Sequence, residues 1–207
     1  VLWLQQSFLV FIMLWYRDTE LINLITSGNI AYELCRPADL YNLWYAKLIA
    51  QRLSGAALRC FPIIIVASLL PYPYNFSLPP SFTSFILFLI TLTLGLILIV
   101  AISMLIYISI FYTMSPTGSL LIMGTFGEFF SGLIIPVPLM PDGLKRLVYL
   151  LPFRYSSDLP FRIYAGNIGI KEAVLSIGVQ ILWIILLITL GKLWMKKALR
   201  RVIIQGG

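Results

Sequence analysis

The chain has 207 residues, 60% of them hydrophobic and only 11% charged, with a formal net charge of +7. Soluble domains carry about 25% charged residues, and residues 60–127 of this chain carry none, which excludes a soluble fold. The positive charge is not a nucleic-acid signal, because Lys192, Lys196, Lys197, Arg200 and Arg201 cluster at the C-terminal end, as expected of a cytoplasmic flank under the positive-inside rule. Specific binding of anionic lipid is the narrower alternative for that flank.

A backbone in hydrocarbon must satisfy its own hydrogen bonds, so crossings are helices or a closed barrel. A barrel shows alternating segments of ~10 residues. Residues 85–112 are apolar on every side, so the expected class is an all-α membrane protein, a polytopic bundle of about five spans in a single domain (1–207). The first span is 1–16, ending in Trp15 and Tyr16; it starts on Val1, lacks a basic leader, and reads as a helix cut short. Residues 17–52 form a cytoplasmic loop. The second span, 53–70, carries Arg59 near its start, where it is expected to snorkel to the inner interface, and Pro62 just inside. A proline-rich outer loop with Tyr72 and Tyr74 leads to the third span, 85–112, which would reach about 42 Å and must tilt or protrude. A turn around Pro116 and Gly118 precedes the fourth span, 120–135, and a fifth span, 173–194, is followed by the basic tail, 195–207. The aromatic pairs Trp15/Tyr16, Trp44/Tyr45 and Tyr72/Tyr74, with Trp194, read as interfacial belts.

With the tail inside, ten of the 15 basic residues lie inside, and Lys145, Arg146, Arg154, Arg162 and Lys171 lie outside. The rule is obeyed, but not cleanly. The outer region, 136–172, is broken by prolines 136, 138 and 141, which stop the fourth span from continuing. Within it, 143–151 pairs Lys145 and Arg146 with Leu144, Leu147, Val148 and Leu151 at helical spacing, which suits an amphipathic interfacial helix. The expectation is an outer re-entrant segment.

Residues 129–168 (FFSGLIIPVPLMPDGLKRLVYLLPFRYSSDLPFRIYAGNI) resemble the last outer segment of type-2 ABC exporter permeases. In that family a Phe-Ser-Gly end to the fifth helix precedes a proline-broken re-entrant segment and a sixth helix. Residues 27–53 (SGNIAYELCRPADLYNLWYAKLIAQRL) resemble the loop after the family's second helix, and the terminal VIIQGG (202–207) is similar to one bacterial branch. The resemblance implies a six-helix permease fold, of which the first helix is expected to be absent. It also implies a transport subunit of an ATP-driven exporter in a bacterial plasma membrane, multi-pass, with its C-terminus cytoplasmic and no catalytic chemistry of its own. ATP and Mg are expected on a separate ABC ATPase subunit, and no cofactor is expected on this chain. A second permease copy or a paralogue, and membrane lipids, are the other implied partners; nucleic acid is not.

No phosphate-binding G-x-x-x-x-G-K-[ST] loop occurs, there is no histidine, and Cys35 and Cys60 alone are too few for a structural zinc site. Glu33, Arg36, Pro37, Asp39 and Tyr41 form the charged heart of the inner loop. Pro37 supplies a rigid bend, and the resemblance makes this group the element that couples to the ATPase; a solvated loop with weak local ion pairs is the plain alternative. Glu128 is the one acidic residue between Asp39 and Asp142. It is either a pathway-lining carboxylate or a protonated glutamate hydrogen-bonded to a neighbouring helix. The competing function is a secondary transporter or channel not driven by ATP, which would show several intramembrane charges or half-helices. A membrane-embedded enzyme would need a catalytic constellation that the sequence does not show.

Overall fold

Runs of Leu, Ile and Phe with no polar interruption leave the helix as the way to satisfy a backbone removed from water, and every regular element among the described residues is helical. The computed structural model describes residues 2–71, 74–75, 77–113 and 115–200. Tyr72, Arg201 and the 202–207 terminus, each read above, lie outside the described residues.

Among the described residues, three helices are long and apolar enough to cross a membrane: α5 (Leu40–Leu69), α6 (Phe82–Thr113) and α10 (Ile170–Leu199). They take in the expected spans 53–70 (all but its last residue), 85–112 and 173–194, and each is longer than read. The largest difference is at α5, which starts at Leu40, so residues 40–52 are helix and not loop. Asp39 caps this start, its carboxylate accepting from the Asn42 amide at 2.8 Å. Arg59 therefore lies in the second half of α5 and not near its start. Its Nε donates to the Gln6 carbonyl at 2.9 Å, so it ties two segments together and does not reach for the inner interface. At the other end α10 absorbs Lys196 and Lys197 of the expected tail.

The other two expected spans take a different form. Residues 1–16 hold two short helices, α1 (Leu2–Ser7) and α2 (Leu9–Ile12), with an extended backbone at Met13. The fourth span is α7 (Pro116–Phe130), which begins with Pro116 in its first turn, a position that needs no amide hydrogen. Pro116 and Gly118 thus lie in a helix and not in the expected turn. The 15 residues of α7 reach about 22 Å, short of the roughly 30 Å hydrocarbon core. The inner loop contains α3 (Thr19–Thr26) and α4 (Ile30–Leu34). The proline-broken region holds a 3-10 turn at Val137–Leu139, α8 (Asp142–Leu150), a 3-10 turn at Phe153–Tyr155 and α9 (Asp158–Tyr164).

At the centre stands α6, apolar on all sides, packed most extensively against α10 and α9. The N-terminus of α5 and the C-termini of α6 and α10 meet at one end. There Trp44 stacks on Phe111, Tyr112 lies 5.9 Å from Trp194, and Tyr41 packs on Gly191. We call this the basic end, after the lysines of α10. At the opposite, loop end Tyr164 donates to the Ser77 carbonyl and Gly166 packs on Pro80. Trp44 and Tyr45 are adjacent in α5, yet Trp44 meets Phe111 while the Tyr45 hydroxyl donates to the Ile97 carbonyl at 2.6 Å. Those contacts are about 21 Å apart along α6, and Arg52 of α5 meets Ser103 between them, so the first half of α5 is joined to a long stretch of α6. This also corrects the belt reading of Trp44 and Tyr45: both are packing residues, and Trp44 is buried. Trp15 likewise packs on Gly124 of α7.

Candidate coupling site

At the basic end, α4 and the turn after it form a projecting surface. Glu33 and Arg36 are paired at 3.3 Å, Pro37 follows, and Asp39 caps α5. These four sequence-expected residues lie together. Tyr41 is apart from them, only 3% exposed, with its ring against Gly191 and stacked on Tyr45. Two residues that sequence reasoning missed stand out instead: Tyr32 is 76% and Leu34 is 40% exposed. Beside them a groove of about 250 Å³ runs between α3 and α5, lined by Glu20, Glu33, Arg36 and Lys47 over a floor of Leu21 and Trp44. Tyrosine and arginine are residue types enriched at protein-binding hot spots, and here Tyr32 and Arg36 stand together on the surface.

Behind the groove, α3 is fixed to the bundle through Asp18. Its carboxylate caps α3 by accepting from the Leu21 amide at 3.0 Å and accepts from Gln51 at 2.8 Å, while Lys47 lies 3.4 Å away. Its own amide donates to the Tyr107 hydroxyl of α6 at 2.8 Å. Next to it Arg52, fully buried, donates to the carbonyls of Val10 and Met13, both at 2.8 Å, and to Ser103 of α6 at 3.2 Å. The break after α2 leaves carbonyls that no helical amide satisfies, and Arg52 satisfies two of them. Arg52 had no sequence signal, since two of its three partners are main-chain carbonyls, whereas Asp18 had that of a helix cap.

The second polar centre lies between α7, α9 and α10. Arg154 is 1% exposed, and Asp158 receives it at 4.0 Å and Arg162 at 3.6 Å. Gln180 of α10 donates to the carbonyls of Thr91 in α6 and Tyr155 at 2.9 and 2.8 Å. Ser157 donates to the Ser131 carbonyl at 2.6 Å, which pins the start of α9 to the end of α7. Glu128 is half-buried, and its carboxylate meets the side chain of Trp15, which spans Gly124 one turn earlier.

These centres hold bundle elements together; among the described residues no cluster of His, Cys, Asp and Glu is placed to hold a metal ion. A family model described as ABC-2 family transporter protein matches residues 4–206. No curated relative and no solved structure gives a significant match.

Proposed function

The chain belongs to the ABC-2 family of transporter proteins, which makes it a membrane permease subunit of an ABC transporter, and on that premise we propose that ATP hydrolysed on a separate ATPase subunit drives it through α4. The observation that carries this reading is the exposure of Tyr32 and Leu34 beside the Glu33–Arg36 pair at the basic end. Displacement of α4 passes to Asp18 and Tyr107, and to Arg52 and Ser103, and so reaches α6. Glu33, Arg36, Pro37 and Asp39 shape the docking turn, and Tyr41 holds α5 to α10. ATP and Mg sit on the ATPase; this chain supplies the pathway, with a second permease copy or a paralogue, and performs no catalysis.

The basic end faces the cytoplasm of a bacterial cell, with the C-terminus on the cytoplasmic side of the plasma membrane. The lysines at the end of α10 support this orientation. Of the five basic residues placed outside, Arg154 is buried within the fold beside Asp158. Transport runs outward, and α9, packed on α6 at the loop end, is placed to shut the outer mouth at rest.

The test is association with an ATPase encoded beside this chain. Tyr32→Ala combined with Leu34→Ala should weaken co-purification about tenfold without moving the thermal midpoint of the permease. Wild-type association of the double variant would remove α4 from the docking surface. A second reading, transport without ATP, draws on buried Arg52, Arg154 and Asp158 and on the short α9, since broken helices and intramembrane charges mark secondary transporters. Transport by the permease alone, in vesicles without ATP, would favour it.

A further inference from the structure

A pocket of about 410 Å³ opens at the basic end between the start of α5 and the last turns of α10, lined by Asp39, Tyr41, Lys192, Leu193, Lys196 and Leu199 among others. Lys192 and Lys196 are one turn apart and exposed, with the Lys192 ammonium 5.9 Å from the Tyr41 ring. Tyr41 forms the inner wall. Its hydroxyl, buried against the Gly191 backbone, has no hydrogen-bond partner among the described residues. The Asp39 carboxylate is turned to the Asn42 amide. The helical amides of Leu40 and Tyr41 come before the first intrahelical bond, at the positive end of the α5 dipole. Two ammonium groups and a helix N-terminus converge on one space, over the Tyr41 ring.

We propose that this pocket holds the phosphate of an anionic phospholipid of the leaflet at the basic end. A lipid fits better than a free anion because the pocket continues into an apolar face. Leu193 lines it, and Leu190, three residues earlier on α10, is also exposed, so an acyl chain can descend along α10 while its headgroup stays between the lysines. Basic pockets between helices at a membrane surface take such headgroups.

The test is native mass spectrometry of the full chain, titrated with phosphatidylglycerol or phosphatidylcholine. Wild type should retain one phosphatidylglycerol in preference to phosphatidylcholine. Lys192→Gln with Lys196→Gln should weaken that binding on the order of tenfold. Both lysines are exposed, so the fold does not depend on them. Soluble glycerol phosphate should compete poorly. Equal retention of the two lipids, unchanged binding by the double variant, or displacement by glycerol phosphate at lipid-like concentrations would each overturn the proposal.

Discussion

Gly95 of α6 lies against the main chain of Ser156, so that a β-carbon on it would come 2.9 Å from the Ser156 carbonyl oxygen. The contact seats the turn before α9 on α6, and backbone cannot move aside as a flexible side chain can. Gly95→Val is expected to lower stability by about 1–3 kcal/mol, read as a fall in the thermal midpoint in detergent. Exposed Thr93→Val, two residues earlier, should stay within about 0.5 kcal/mol. Equal midpoints for the two variants would mean that the turn is not seated there.

Gln180 bridges α6 and the same turn through one amide nitrogen. Gln180→Met keeps the volume and removes both donations, leaving buried carbonyls short of a partner. A loss of about 1–3 kcal/mol is expected, together with faster proteolysis of the segment around α9. Proteolysis at the wild-type rate would show that the bridge does not hold the segment.

Asp158 is the one carboxylate shared by Arg154 and Arg162. Removing it leaves two cations together in a buried site, so Asp158→Ala should cost about 3–5 kcal/mol. Replacing Arg154 by Met and Asp158 by Leu together should be milder, because charge and counter-charge leave at once. If the single variant is the milder of the two, Asp158 is not the counter-charge.

Glu128→Gln should fold with an unchanged midpoint, since a glutamine can still meet Trp15. Transport in vesicles with the ATPase should fall several-fold if Glu128 lines the pathway. Transport at the wild-type rate would leave Glu128 as a packing residue.

The apolar core of this fold was legible from sequence, because α6 and the middle of α10 are written as long, uncharged and mostly apolar runs. The start of α5 was not. Lys47, Gln51 and Arg52 made residues 40–52 look like loop, although Asp39 ahead of a run of helix formers is a capping signal. The spacing of Arg154, Asp158 and Arg162, four residues apart each time, was also available as a hint. Arg52 left no such trace: besides Ser103, far off in sequence, its partners are carbonyls of Val10 and Met13, and main-chain partners have no letters in a sequence. Trp44 was misread because an aromatic next to charge looks interfacial until its Phe111 neighbour is seen. In the coupling surface, charge pointed to Glu33 and Arg36, whereas exposure, which requires the fold, pointed to Tyr32 and Leu34.

The two grips of α5 on α6 have a mechanical meaning. Trp44 and Tyr45 hold α6 at two stations along its length, one by stacking on Phe111 and one by a hydrogen bond to Ile97, and Arg52 holds it between them at Ser103. Two rods pinned at several points cannot slide or swivel past each other. A push at Asp39 would therefore carry α5 and α6 as one lever, with α10 coupled to it through its packing along α6 and through Tyr41 and Gly191.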